Sequence, residues 1–524
     1  MKKIEIFDST LRDGSQGEGI SFSVQDKLNI VKTLDDFGVA YIEAGNPGSN
    51  PKDLDFFQEL KKIRLNNAKI CAFGSTARSS LPVGEDKNVQ SLLEAGSPTV
   101  AIFGKSWNLH VTEILKISLE ENLRIVEETV AYLKNAGKEV VFDAEHFFDG
   151  CKADRDYAFR VLEAAVRGGA GTLSLCDTNG GSLPGFIGEM TALAVQKFPD
   201  VKIGIHCHDD IGCAVACSMA AVEAGAVQVQ GTFIGFGERC GNADLSTIMA
   251  NLTFKCGYDC GVSLGDLKRT ARKIAEISNV RIKNNQPYVG KSAFAHKGGM
   301  HIDGVQKLSS SFEHIDPSLV GNERKFLLSE VSGRGTVLPR IQKFAPGLTK
   351  QSPETAMITE ELKKREHYGY QYEGAEASFE IFVKKSLHLW KPHFRVIMYK
   401  ALDDFPAPDG EQQSNAMVKI EVGDQTELTC GSGNGPVNAL DTALRKAIGV
   451  FYPQIHSMHL MDYKVRVIES GNATDAKVRV LIESADEDSS FTTIGVSNDV
   501  IEASFTALVD SLEYKLGKNN EIKE

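Results

Sequence analysis

No apolar run in this 524-residue sequence approaches the roughly 20 residues that a membrane-spanning helix needs. Met1-Lys2-Lys3 leads straight into a short strand-like segment, so no signal peptide is expected. Positive charge is in deficit as well: 58 Lys and Arg against 70 Asp and Glu leave a net charge of −12. Nucleic-acid and membrane-surface proteins need a basic face, which excludes both classes of partner. Among the ten cysteines there is no Cys-x-x-Cys pair and no small-domain spacing, the pattern of reduced thiols in a cytoplasmic protein. Cys71, Cys176 and Cys207 fall inside strand-like runs and are expected in the core. No Gly-x-Gly-x-x-Gly follows the first apolar run, and no low-complexity tract interrupts the chain.

What is present is repetition. A hydrophobic content of 42% suits about two or three domains, each with its own core. Apolar strand-like runs occur at Ile4–Phe7, Ala40–Ala44, Ile70–Phe73, Val100–Phe103, Val140–Phe142, Leu173–Cys176, Ile203–His206 and Val227–Ile234. Between them lie segments of helical spacing such as Lys27–Phe37, Leu119–Ala136 and Tyr157–Arg167. Gly38, Gly137 and Gly168 stand where helix C-terminal caps would. Strands alternating with helices over about 240 residues predict a (β/α)8 TIM barrel, with a doubly wound open sheet as the alternative. In a barrel the C-terminal strand ends share one mouth, which Asp13, Glu43, Glu145, Asp177, His206, His208 and Asn242 would face.

Two stretches at that mouth carry chemistry. In Phe7-Asp8-Ser9-Thr10-Leu11-Arg12-Asp13-Gly14 the strand must turn at the glycine, gathering Asp8, Arg12 and Asp13 at its C-terminal end. In Ile205-His206-Cys207-His208-Asp209-Asp210 the two histidines share a strand face and Cys207 points away. Two imidazoles plus the carboxylate of Asp13 form a ligand set for one divalent metal ion with open coordination positions. Mixed nitrogen and oxygen ligands do not discriminate among Mg, Mn and Zn.

Beyond the barrel, taken as residues 1–270, linker subdomains are expected over 271–390 and an α+β domain over 391–524. Leu264–Ile277 and residues 353–370 read as helical. Residues 292–305, with glycine pairs beside His296 and His301, read as a loop able to reach over another surface. Phe394–Met398, Met417–Val422, Tyr463–Ile468 and Val478–Glu483 read as strands. Pro406–Gly410 reads as a hairpin-like loop. Gly431-Ser432-Gly433-Asn434-Gly435, ahead of a helix at Asn438–Ile448, reads as a loop that could cradle an anion, or as a plain tight turn.

The order of five motifs resembles the isopropylmalate synthase and homocitrate synthase family over nearly the full length. They are LRDGSQ at 11–16, HCHDD at 206–210, GFGERCGNADL at 235–245, AFAHKGGMHIDGV at 293–305 and GSGNGPVNAL at 431–440. DAEHFFDG at 143–150 and HIDPSLVGNER at 314–324 tilt the resemblance toward the citramalate-forming branch. The resemblance implies an acyltransferase that condenses acetyl-CoA with a 2-oxo acid, pyruvate in that branch and 2-oxoisovalerate in the leucine-directed alternative. It implies metal ligation by Asp13, His206, His208 and Asn242, and substrate binding by Arg12, Asp8 and Gln16. It further implies catalytic roles for Arg12, Glu145, His301 and Asp303. A homodimer is implied, with His301 reaching the partner's barrel mouth. So is a C-terminal regulatory domain for a branched-chain amino acid, isoleucine for the citramalate branch, with Gly433, Asn434 and Gly435 as effector-binding positions.

One position departs from the family. Relatives commonly carry a tyrosine in the run before HIDP, where this chain has Ser311-Phe312-Glu313. The hydroxyl is lost, so either His301 with a water suffices as the acid, Tyr288 or another group substitutes, or activity is low. Two other classes share the barrel. A hydroxymethylglutaryl-CoA lyase would use a cysteine near the Gly-Asn motif, where Cys240 stands. A biotin-dependent carboxyltransferase would carry Ala-Met-Lys-Met, which Ala416-Met417-Val418-Lys419 is not. A non-catalytic amino-acid-binding sensor would explain Phe312 and the C-terminal domain together.

Overall fold

The computed structural model describes residues 2–49, 51–327, 334–403, 414–468, 476–486 and 489–521. A strand of four to seven residues cannot bury both its faces alone, and eight of them solve this together by closing on one another. The strands β1 (Glu5–Asp8), β2 (Tyr41–Gly45), β3 (Lys69–Ser75), β4 (Thr99–Lys105), β5 (Glu139–Glu145), β6 (Thr172–Asp177), β7 (Lys202–Cys207) and β8 (Gln228–Gly231) form a closed parallel barrel in sequence order. Closure pairs β1 with β8 through Glu5↔Gln228 and Asp8↔Gly231. Alternation along each strand divides the apolar side chains into two sets. Ile4, Ile6, Ile42, Val100, Ile102 and Val140 join the core between sheet and helices, whereas Phe7, Tyr41, Cys71, Ala101 and Val141 form a separate, smaller cluster.

The helices begin and end where local chemistry directs. Ser23 and Asp26 form a reciprocal capping box for Val24–Phe37, and Gly38 closes that helix at φ 103°. Ser118 caps Leu119–Asn135 by accepting from the Glu121 amide at 3.1 Å. Gly168 has a different task from the expected cap. It lies inside the helix Phe147–Gly168, and Gly169 is the left-handed residue beyond it. A Cβ at Gly168 would stand 2.6 Å from the Glu127 carbonyl oxygen, so its absence lets two helices approach closely.

The described chain divides into two compact units, 1–295 with 313–325 and 296–312 with 326 onward. The first holds the barrel. The second carries two antiparallel three-stranded sheets, Arg395–Asp403 with Ser414–Val422 and Gln425–Gly433, and His459–Val467 with Val478–Ala485 and Ser490–Ser497. Leu440, Leu444, Leu508 and Leu512, from the helices Pro436–Gly449 and Val500–Glu521, share one core with Val418, Ile420, Val480 and Ile482 of those sheets.

Two expectations for this unit are corrected. Gly431 and Gly433 are not loop residues; they end the strand Gln425–Gly433. Added Cβ atoms there would stand 2.6 Å from the Ala443 amide and 2.4 Å from Asn438 Oδ1, so strand-to-helix packing demands both glycines. Residues 299–307 likewise form a helix, not a loop. The expected loop at Pro406–Gly410 lies outside the described residues.

Candidate metal centre and active site

Three side chains from distant parts of the chain meet at the C-terminal end of the barrel. Asp13 follows β1 in a turn whose amides return to it: Gly14 N–H bonds the Ser9 carbonyl at 3.0 Å, and Asp13 N–H bonds Ser9 Oγ at 3.2 Å. His206 lies on β7 and His208 just beyond it. Asp13 Oδ2 is 3.1 Å from His206 Nε2 and 3.6 Å from His208 Nε2, and the two imidazole nitrogens are 3.4 Å apart. All three residues are at most 6% exposed. Ligand atoms bound to one ion at about 2.1 Å would be separated by about 3.0–3.4 Å, so the spacing fits a divalent cation. Among the described residues this is the one cluster of three metal-ligating side chains.

Asn242 completes the group. A backbone bridge between His208 and Asn242 brings it in, and its Nδ2 donates to Asp13 Oδ2 at 2.8 Å. Its Oδ1 is buried without a hydrogen-bond partner, an oxygen that rotation of the amide would turn toward the cluster. The glycines of the Gly-Phe-Gly-Glu-Arg-Cys-Gly-Asn loop make room for this. A Cβ at Gly237 would meet Asn242 Oδ1 at 1.9 Å, and one at Gly241, where φ is 97°, would meet the Gly235 carbonyl at 2.1 Å.

Arg12 sits between two carboxylates, its Nη1 3.3 Å from Asp13 Oδ1 and its Nε 2.7 Å from Glu43 Oε2. Its guanidinium lies 3.8 Å over the Phe73 ring, and Ser9 Oγ also donates to Glu43. Burial opposes the charge on Arg12, but Asp13 and Glu43 outweigh it and raise its pKa. Burial also opposes ionisation of Asp13, yet Arg12 and His206 carry its pKa well below the usual carboxylate range. Burial opposes the charge on His206 too, but the bond to Asp13 outweighs it and raises the imidazole. His208 is pushed down to about 4 by burial and by the neighbouring His206. A neutral His208 is the form that ligates a metal.

This arrangement is accompanied by full-length likeness to known proteins. The (R)-citramalate synthase of Aquifex aeolicus is 50% identical over 99% of both chains. That of Geobacter sulfurreducens is 46% identical over 100% of this chain and 99% of its own. The chain belongs to the (R)-citramalate synthase branch of the isopropylmalate synthase and homocitrate synthase family. Probable 2-isopropylmalate synthase of Methanopyrus kandleri is more distant, 31% identical over 97% of each chain. Along this member of the citramalate synthase branch, an HMGL-like domain matches residues 3–274 and a homocitrate synthase post-HMGL domain-like segment matches 288–368. A LeuA allosteric (dimerisation) domain matches 374–516.

The remaining expected site residues are distributed unevenly. Glu145 ends β5 and pairs with Lys105, opposite it at the end of β4. Asp8 is fully buried: its Oδ1 accepts from the Thr10 amide at 2.9 Å, and its Oδ2 has no hydrogen-bond partner. Gln16 is exposed at the end of a single 3-10 turn. Tyr288 is 5% exposed and donates to Asn251 Oδ1 at 2.6 Å. In the second unit, His301 stacks on Phe312 with ring centroids 4.3 Å apart. Asp303 pairs with Lys307 at 2.6 Å, and two residues of helix separate its direction from that of His301 by about 200°. Asn434 donates its amide to Asn438 Oδ1 at 3.2 Å, so one of the expected anion-binding amides is already engaged. Glu43, Ser9, Asp143 and Gln230 belong to the site as well. Strand position places only Glu43 of these at the mouth, and nothing in sequence spacing joins it to Arg12.

Burial without an ionic partner sets a pH dependence. Asp8 is raised to about 7, chiefly by desolvation, with Glu43 adding repulsion. Between about pH 4 and 7 the native protein holds a proton that the unfolded chain has released, so this group costs stability as pH rises through that window. Asp8→Asn keeps the acceptor for Thr10 and removes the cost. Its stability advantage over the parent should be near zero at about pH 4 and grow to the order of 3 kcal/mol at pH 8, read by urea unfolding. Parallel pH profiles for the two proteins would contradict this account of Asp8.

Proposed function

We propose that this protein is an acyltransferase that condenses acetyl-CoA with pyruvate and water to give (R)-citramalate and CoA, opening a pyruvate route to 2-oxobutanoate and isoleucine. The observation that carries the reading is the convergence of Asp13, His206 and His208 beside Arg12, in a chain 50% identical to a citramalate synthase over its full length.

Asp13, His206, His208 and Asn242 would hold the divalent ion, which supplies Lewis-acid polarisation of a chelated 2-oxo acid. Arg12 stabilises the alkoxide charge that develops on the ketone oxygen. Its position is fixed from two sides by Asp13 and Glu43, so it need not reorganise as that charge appears. Glu145, set at the strand end and paired with Lys105, positions the methyl of acetyl-CoA or relays its proton. The enolate left by proton loss attacks the ketone carbon. Water then cleaves the thioester and the alkoxide takes up a proton. His301 serves the proton transfers, its ring held by Phe312.

The LeuA-type match at 374–516 supports a dimer with an allosteric C-terminal domain. In this reading that domain binds isoleucine, and the helix bearing His301 serves the partner's site. Ten free cysteines support a cytoplasmic setting. 2-Isopropylmalate synthesis is the second reading, favoured by the Methanopyrus likeness. Phe73 and Phe103 favour pyruvate: the rings stack 5.5 Å apart with Phe73 under Arg12, filling space beside the alkoxide-stabilising group.

CoA release from acetyl-CoA should depend on pyruvate and be at least about tenfold slower with 2-oxoisovalerate, since each extra methyl in an unaccommodating pocket is worth about 1–3 kcal/mol. Added isoleucine should slow the pyruvate reaction more than leucine or valine does. Faster turnover with 2-oxoisovalerate would transfer the assignment to isopropylmalate synthesis, and no CoA release with any 2-oxo acid would leave a lyase or a sensor. Arg12→Lys keeps the charge and loses the planar fork, so kcat with pyruvate should fall at least about a hundredfold. An unchanged kcat would make Arg12 structural.

A further inference from the structure

Behind His206 stands a fully buried amide that no catalytic step has used. Gln230 lies on β8 directly opposite His206 of β7, the two being register partners in adjacent parallel strands. Its side chain is 0% exposed and touches a polar group at each end. Oε1 is 3.0 Å from His206 Nδ1, and Nε2 donates to Asp143 Oδ1 at 3.1 Å. Asp143 enters from β5 and is 3% exposed.

The two contacts are not independent. Asp143 Oδ1 accepts from Gln230 Nε2, which sets the NH2 end of the amide toward Asp143. The carbonyl end must then face His206. A carbonyl cannot donate, so His206 Nδ1 keeps its proton, and the Nε2 proton shared with Asp13 is the one a cation would displace, opening a lone pair on the side of Asp13 and His208. The opposite amide orientation would set Oε1 against the Asp143 carboxylate and turn an N–H toward Nδ1, leaving the proton on Nε2, where it blocks a metal.

We propose that Gln230 is the positioning residue that fixes His206 in the Nδ1-protonated tautomer and thereby sets the affinity of the Asp13–His206–His208 cluster for a divalent cation, with Asp143 orienting Gln230. This rests on reading that cluster as a metal site. Outer groups of this kind are commonly worth 10–100-fold in metal affinity.

The test is equilibrium dialysis of the full-length, metal-stripped protein against Mn2+ alone, with circular dichroism on each variant. Gln230→Met has similar length and cannot hold the amide's pair of bonds; its Mn2+ affinity should fall about 10–100-fold with the spectrum unchanged. The exchange Asp143→Asn with Gln230→Glu reverses the chemistry of the pair while keeping its function. The amide introduced on β5 donates to one oxygen of the carboxylate introduced on β8, and the other oxygen still accepts from His206 Nδ1, so affinity should return to within about threefold of the parent. A structural role alone would not predict that rescue. Parent-like affinity in Gln230→Met would overturn the proposal. So would a double variant that folds, as judged by its spectrum, and binds no better than Gln230→Met. If the parent itself binds no Mn2+, the metal reading fails and the proposal falls with it, an outcome distinguishable from the other two.

Discussion

An imbalance of buried charge governs this barrel mouth. Four carboxyl groups, those of Asp8, Asp13, Glu43 and Asp143, are at most 3% exposed. One guanidinium and two imidazoles face them. Isolated ionised carboxylates cannot be buried at reasonable cost, and two remedies are visible. Arg12 bridges Asp13 and Glu43, while Asp8 and Asp143, which lack a cation of their own, are pushed up to about 7. The deficit of positive charge that remains is centred on Asp13 and the histidines. A divalent cation is the species that such a site would accept, and with it bound a ketone oxygen gaining negative charge beside Arg12 would meet positive charge from both.

The barrel turns this local problem into a usable site. Asp13 follows β1, Glu43 belongs to β2, Asp143 to β5, His206 to β7 and Gln230 to β8, so chemistry from five strands meets at one end. Parallel register makes this possible, because strands that all run one way deliver their C-terminal residues to the same face. Rigid positions on strands, rather than flexible loops, hold His206, the Gln230 amide behind it and the Asp143 carboxyl group beyond. Preorganisation of this kind is what electrostatic stabilisation of a developing alkoxide requires.

The strands are legible in the sequence because their apolar residues cluster and their turns carry glycine, and the His-x-His pair is legible because period-two geometry puts both rings on one face. The partners of those groups are not. Glu43 is 31 residues from Arg12 and Gln230 is 24 from His206; strand position sets Glu43 at the mouth without joining it to Arg12, and Gln230 looks like an ordinary polar interruption of a core segment. The helix Gly299–Lys307 is hidden because its glycines dilute the helical signal, and Gly431 and Gly433 mislead for a related reason. Glycine marks turns and close packing alike, and only the neighbouring helix reveals which applies. The loss of the tyrosine hydroxyl at Phe312 is visible in sequence, whereas the stacking of that ring on His301 is not.

The central claim, that Asp13, His206 and His208 form a divalent metal centre at the mouth of this barrel, is tested most directly by anomalous diffraction from crystals equilibrated with Mn2+ and pyruvate. The account predicts one strong peak within about 2.0–2.3 Å of Asp13 Oδ2, His206 Nε2 and His208 Nε2, beside Arg12. A peak elsewhere on the protein with none among these three atoms, at a Mn2+ concentration that supports CoA release, would contradict it.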